Sequence, residues 1–394
     1  MKLSHRVLNI TPPATLALSA KAKEMQAAGI DVLNLTIGEP DFNTPTHIRQ
    51  ATIKAIEAGQ ADSYTAATGI LPLRQAVAEF TNHQHHTTFT AANVVVTTGG
   101  KFALYALSQA LLEAGDEALI PVPGWVSYSE QVKLAGGQPV LVPPASGQLK
   151  VTPAELDAAW TPKSKVLILN SPTNPTGEVY TKAELQAIGD WAVAKDLLII
   201  ADDMYGALVY NGTPFTSLLD LSPAIQAHTI LVSGLSKAYA MTGWRVGYVV
   251  ASEELIKPLA AFIGQATSNL TAASQYAALA ALTGDQACVE EMRVTYEERL
   301  NTIQPLVEAI PGFHLESQPA GAFYLFPNVA EAVAATGFAT TDAFVAALLT
   351  EAHVALVPGS AFGMDGHVRL SYGTDLATLK EAIRRLHEFV VSHQ

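Results

Sequence analysis

Seven short apolar runs, rich in β-branched residues, punctuate the middle of the chain: Val94–Thr97, Ala118–Val122, Pro139–Val142, Val166–Leu169, Leu197–Ala201, Ile230–Val232 and Val246–Val250. They are apolar throughout rather than alternating, which predicts strands covered on both faces, as in a parallel sheet. Most of the segments between them are long enough for a helical crossover. Lys101–Glu113 is one, and Lys182–Lys195 is another, with Leu185, Ile188, Trp191 and Ala192 on one helical face. This alternation predicts an α/β architecture, a mainly parallel seven-stranded sheet covered by helices over roughly 90–250.

Outside that region the pattern changes. Leu376, Leu379, Ile383, Leu386 and Val390 step by three and four along an amphipathic terminal helix whose wet side carries Lys380, Glu381, Arg384 and Arg385. Near the start, one helical pattern spans about Ala14 to Ala28, and the turn-rich run Gly38–Glu39–Pro40–Asp41–Phe42–Asn43 follows. The expected organisation is an N-terminal arm and loop over 1–43, a large domain over 44–285 and a smaller α/β domain over 286–394.

The 394 residues are 49% hydrophobic and 15% charged, enough to bury a large core without staples. With 36 acidic against 23 basic residues the formal charge is −13, which repels phosphate backbones and anionic lipid surfaces. Nucleic acid and membranes are therefore not expected as partners. A lone thiol, Cys288, cannot close an intramolecular bridge, and the first 20 residues lack a continuous apolar core, so a reducing cytoplasm is the expected compartment. His83, His85 and His86 sit in a polar stretch between a helix and a strand with no matched ligands elsewhere, so no metal is expected. Cys288 and the Ala272–Leu282 run read as helix packing.

Four groups of residues carry chemistry. Thr97–Thr98–Gly99–Gly100–Lys101 follows a strand and opens a helix, so its N–H groups can converge on a phosphate, although the same pair of glycines also makes an ordinary turn. Ser171–Pro172–Thr173–Asn174–Pro175–Thr176–Gly177 is a stiff loop that would hold the Asn174 amide in place. Asp202–Asp203–Met204–Tyr205 ends the most hydrophobic strand, where a desolvated carboxylate needs a cationic partner unless it caps a helix. Ser236–Lys237, trailed by Thr242–Gly243–Trp244–Arg245, places a lysine suited to Schiff-base chemistry eight residues before an arginine.

All four groups fall at or just beyond carboxyl ends of predicted strands, where open α/β sheets bind ligands. A phosphate cradle, an aldehyde-capturing lysine, an acid for a pyridinium nitrogen, and an amide plus a phenol for a ring oxygen together describe a site for pyridoxal 5′-phosphate.

In that combination and order, extended by Gly38–Glu39–Pro40–Asp41–Phe42 and His367–Val368–Arg369–Leu370–Ser371–Tyr372, the chain resembles the class I/II aminotransferases of pyridoxal-phosphate fold type I, bacterial aspartate aminotransferase branch. The resemblance implies that Lys237 holds the cofactor and later moves the substrate proton, while Asp202 keeps the ring nitrogen protonated. Asn174 and Tyr205 would meet the ring hydroxyl and Trp125 would stack on the ring. Gly99, Gly100, Lys101 and Arg245 would bind the phosphate, and Tyr64 would reach the phosphate of a neighbouring subunit in a homodimer with shared active sites. Arg369 would grip the substrate carboxylate, as a planar fork suits. Gly38 would lie in the loop over the substrate, with Trp125 and Asn174 also touching it.

Two positions depart from the family. Gly234 stands where many relatives have a phosphate-binding serine, leaving Ser233 or Ser236 as substitutes. Thr11 stands where the prephenate-using branch has lysine, which argues against prephenate. Lys101 is placed to meet a distal carboxylate, and that favours aspartate. The expected activity is ping-pong transfer of an amino group from an L-amino acid, aspartate first, to 2-oxoglutarate. An aromatic or broad-specificity aminotransferase, or a C–S lyase using the same cofactor, are the alternatives.

Overall fold

A computed structural model describes all 394 residues. The seven apolar runs form a single sheet from β1 (Val94–Thr98), β2 (Glu117–Pro121), β3 (Gln138–Val142), β4 (Ser164–Asn170), β5 (Leu198–Asp202), β6 (Thr229–Gly234) and β7 (Val246–Val250). Their order is β1-β7-β6-β5-β4-β2-β3. The sheet is parallel except for β7, which runs antiparallel to both of its neighbours.

Alternate residues of each strand feed two layers. Val95, Ile120, Ile168, Ile200 and Val249 pack on one face with Leu104, Leu107, Val132 and Leu259 from the helices Gly100–Leu111, Ser127–Ala135 and Glu253–Ala266. On the other face, Leu167 and Ile199 meet Leu185, Ile188 and Ile225, while Val94, Val96 and Leu231 meet Leu73, Val77 and Ala278. Burial on both faces explains why the runs show no polar alternation. The outermost strand, β3, departs from the expected cover: Leu141 is 48% exposed and lines a surface cavity with Ser129, Glu130 and Lys133.

A third core gathers around the helices Ala287–Glu308, Thr341–Thr350 and Leu376–His393 and a three-stranded sheet of Tyr324–Leu325, Val357–Pro358 and Val368–Ser371. Leu35, Tyr205 and Tyr210 reach into it from elsewhere in the chain. Near the N-terminus, Leu33–Asn34 pairs in parallel with Val354–Ala355, and the helix Ala14–Ala27 lays Ala22 against Leu349 and Ala355. No helix is long and apolar enough to cross a membrane.

The antiparallel strand sets the geometry of the functional edge. Because β7 is reversed, its first residues lie where the parallel strands end: Val246 pairs with Thr98, and Gly247 with Gly234. The backbones there touch, and a Cβ on Gly247 would fall 2.3 Å from the Gly100 nitrogen. Only glycine allows β7 to lie on the turn that follows β1.

Candidate active site

At this edge a cavity of about 400 Å³ opens between the sheet, the 36–39 loop, the helix Ala14–Ala27 and the three-stranded sheet. It brings together Gly38, Gly100, Lys101, Trp125, Asn174, Asp202, Tyr205, Lys237, Arg245 and Arg369. Gly99 lies just behind its wall, where an added Cβ would meet Arg245 Nη2 at 2.5 Å. Tyr64 is the exception among the expected residues: it is 90% exposed and does not line the cavity of its own chain.

One end of the cavity suits an anion. The helix Gly100–Leu111 begins there, so N–H groups of its first turn have no intrahelical acceptor. Arg245 adopts a left-handed backbone at φ 57° and donates through Nη1 to the Thr242 carbonyl at 2.7 Å, which fixes its guanidinium near Gly99. Lys101 Nζ lies 5.0 Å over the Trp125 ring, and burial together with Arg245 holds its amine below the usual lysine range. Ser236 lines this cavity, whereas Ser233 faces a separate one behind it. At Gly234 a Cβ would sit 2.7 Å from the Val246 carbonyl, so the glycine that departs from the family pattern has no room to be a serine.

The middle of the cavity holds an acid and an amine. Asp202 terminates β5 in register with Asn170 of β4 and Val232 of β6. Burial pushes its carboxyl up to about 6, opposed by Tyr128 Oη donating to Oδ2 at 2.7 Å and the Met204 N–H donating to Oδ1 at 3.3 Å. No helix begins at Asp202, so the capping alternative falls. Lys237 Nζ donates to the Gly38 carbonyl at 2.6 Å, and burial brings its amine down to about 8 against the opposing pull of Glu39.

The Gly38 loop is stitched to the lysine segment. Thr44 donates to the Ala240 carbonyl at 2.8 Å and accepts from Trp244 Nε1 at 2.9 Å. Asp41 takes two 2.8 Å hydrogen bonds from Arg299, whose guanidinium also lies 5.4 Å from the rings of Phe42 and Tyr296. Bidentate pairing of this kind fixes orientation as well as charge.

At the far end, buried Arg369 donates through Nη1 to Asn174 Oδ1 at 3.0 Å and through Nη2 to the Thr36 carbonyl at 2.6 Å, while its Nε has no partner. The rings of Tyr324 and Phe362 lie 4.7 and 5.0 Å from the guanidinium. A buried, uncompensated cation with an open donor is a receptor for a carboxylate.

The family described as aminotransferase class I and II matches residues 30–386. The chain belongs to it. An asparagine–oxo-acid transaminase of Streptococcus mutans and an aspartate aminotransferase of Geobacillus stearothermophilus are each 49% identical to it, over 99% of both chains. Aspartate aminotransferase from Thermus thermophilus, solved with maleate, superposes with a TM-score of 0.91 at 38% identity, covering 98% of this chain and 99% of the other. The fold expected from the resemblance, type I with a mainly parallel seven-stranded sheet, is the fold observed.

Sequence reasoning missed several residues of this aminotransferase's cavity. Tyr324 hydrogen-bonds Tyr205 Oη to Oη at 2.7 Å and approaches Gly38, but comes from 119 positions away with no local motif. Tyr128 lies three residues past Trp125, and that helical spacing was a usable signal. Pro13, Thr15, Leu16, Ser19 and Lys23 of the N-terminal segment also line the cavity. His85 was read as part of a polar connection. It is instead buried in the last turn of the helix Leu71–His85, its Nδ1 2.9 Å from Asp220 Oδ1.

Proposed function

We propose that this aminotransferase holds pyridoxal 5′-phosphate in the cavity and moves the amino group of L-aspartate to 2-oxoglutarate in two half-reactions. The observation that carries the reading is the placement of Lys237, Asp202 and Arg369 around one cavity, with a cluster of anion donors at its end. The residues fit the group. Gly99, at φ 80°, leaves the start of the helix open to an anion, and a Cβ there would meet the Arg245 guanidinium. Arg245, Ser236 and the first N–H groups of the helix Gly100–Leu111 suit a phosphate. Asp202 suits a ring nitrogen, Trp125 a ring face, and Asn174 and Tyr205 a ring hydroxyl.

When bound, the cofactor supplies an aldehyde and an electron-poor ring that takes up the electrons of the substrate Cα–H bond. Lys237 then has two tasks. Its amine, lowered by burial, is a nucleophile near neutral pH, and once displaced it is the base that takes the proton from substrate Cα and returns it on the other side of the transfer. Arg369 grips the α-carboxylate in the orientation that Asn174 and Thr36 give it. The Gly38 loop, Trp125 and the N-terminal helix exclude water from the reacting atoms.

Lys101 at the anion end supports a substrate with a second carboxylate, and a relative solved with maleate, a dicarboxylate, agrees with it. Exposed Ile53, Ile56, Leu71 and Tyr64 support a homodimer in which Tyr64 serves the neighbouring cavity. Cys288 as the lone thiol suits a cytoplasmic enzyme.

The test is a single-turnover absorbance titration of the yellow enzyme with aspartate, asparagine, alanine and phenylalanine, alongside borohydride reduction and peptide mapping. A tag on Lys237 and fastest conversion by aspartate are expected. A tag elsewhere ends the cofactor assignment, and asparagine or phenylalanine a hundredfold faster than aspartate ends the substrate assignment.

A further inference from the structure

We infer that Tyr128 is the positioning residue that keeps Asp202 anionic and aimed at the cofactor's ring nitrogen, a role that rests on the reading that the cofactor occupies this cavity. Asp202 is only 5% exposed, so desolvation favours its neutral form. A neutral acid would leave a protonated ring nitrogen without its counter-charge. Two short-range donors oppose that drift, and they are unequal. The Met204 N–H reaches Oδ1 at 3.3 Å, at the long end of the range, whereas Tyr128 Oη reaches Oδ2 at 2.7 Å.

Tyr128 is itself 2% exposed, and burial beside Asp202 pushes its hydroxyl well above the usual phenol range. It therefore stays an O–H donor wherever the enzyme works and never takes the carboxylate proton. A histidine in its place would change charge near neutrality and pass that change to Asp202.

The second observation is the neighbour on Tyr128's other side. Its ring stands edge-on to Trp125, with centroids 5.3 Å apart at 82°, and its N–H donates to the Trp125 carbonyl at 3.1 Å. One turn of chain, 125–128, thus ties the aromatic wall of the cavity to the acid that would meet the ring nitrogen. A shift of Trp125 is transmitted to Asp202 through a rigid side chain rather than through solvent.

The test loads wild type, Tyr128→Phe and Tyr128→Leu with cofactor carrying ¹⁵N at the ring nitrogen, confirms by borohydride tagging that Lys237 is occupied, and reads the ¹⁵N shift and kcat. Tyr128→Phe keeps the ring against Trp125 and removes only the hydroxyl. Its resonance is expected to move toward the unprotonated position, with kcat lower by ~10-fold or more and KM within about threefold, as for loss of a hydrogen bond to a buried charge. If Tyr128→Phe matches wild type in both readouts and only Tyr128→Leu departs, Tyr128 is a packing residue and the inference is overturned. Absence of the Lys237 tag in wild type removes the underlying cofactor reading, an outcome visible before any variant is compared.

Discussion

Arg369 and Asn174, 195 positions apart in sequence, meet through a 3.0 Å hydrogen bond from Nη1 to Oδ1 inside the cavity wall. The contact orients the guanidinium fork before any substrate arrives, and the Thr36 carbonyl fixes its other nitrogen. Preorganisation of this kind is lost when the fork is lost, even if the charge is kept. Arg369→Lys is expected to raise the KM for amino acid and lower kcat/KM by ~100-fold, with Asn174→Ala nearer ~10-fold; steady-state kinetics against both substrates check this. An Arg369→Lys enzyme with normal KM would remove the carboxylate from this end of the cavity.

A lysine captures an aldehyde only as the free amine, and burial brings the amine of Lys237 down to about 8 rather than the usual 10.5. The rate at which cofactor-free protein takes up pyridoxal 5′-phosphate is expected to climb with pH and level off above about 8. Stopped-flow absorbance over pH 6–10 reads it directly. A rate still rising several-fold between pH 9 and 10 would mean an unperturbed lysine.

Gly234 stands where a serine would strike the Val246 carbonyl. Gly234→Ser is expected to destabilise the protein by roughly 1–3 kcal/mol in urea unfolding, in line with overpacking, and to bring no gain in cofactor affinity. Ser236→Ala, by contrast, should leave stability near wild type and weaken cofactor retention by ~10-fold, measured by dialysis and absorbance. Equal retention in Ser236→Ala would leave the phosphate to Arg245 and the helix terminus.

Asp203 carries a pH signature in the cofactor-free protein. Its carboxyl, pushed up to about 7 by burial, binds a proton in the folded state that the unfolded chain has already lost near 3.8. Its stabilising share is therefore whole below pH 3.8 and is lost as pH rises through 7. Asp203→Asn is expected to raise Tm by a few degrees at pH 8 and by almost nothing at pH 4, a difference that scanning calorimetry resolves. The same gain at both pH values would contradict the assignment.

A second carboxylate met by Lys101 would separate substrates by length. Lys101→Ala is expected to raise the KM for aspartate and 2-oxoglutarate by ~10-fold or more while changing the alanine and pyruvate reactions little, apart from any shared loss of cofactor affinity. Parallel losses on both substrate pairs would confine Lys101 to the phosphate.

What the sequence revealed and what it hid follow from the range of each signal. Asp202 and Lys237 were legible because a buried parallel strand is a continuous apolar run and a polar residue at or just beyond its end stands out. The helix Lys182–Ala194 was legible from its period, and the structure fixes its start through Thr181 and Glu184, which exchange capping hydrogen bonds. The helix Ala14–Ala27 was legible as a helix, but its place at the cavity, like that of Tyr324, was not, since nothing near them in sequence says which distant cavity they face. His85 looked solvated because its neighbours are polar, and its half-buried partner Asp220 lies 135 residues on. The exposed edge of β3 was hidden for the same reason: strand order is a tertiary fact.

The reversal of β7 has a thermodynamic consequence. The connection from β6 to β7 carries both the amine that would anchor the cofactor covalently and the arginine that would hold its phosphate, so a guest bridging Lys237 and Arg245 ties shut the hairpin that joins those strands. Whatever free energy the guest contributes is then felt by the central strands of the sheet. Amide protons of 229–250, far more than those of β3, should exchange more slowly once the vitamin is aboard, so the hardest part of the molecule to open would be the part that retains its passenger.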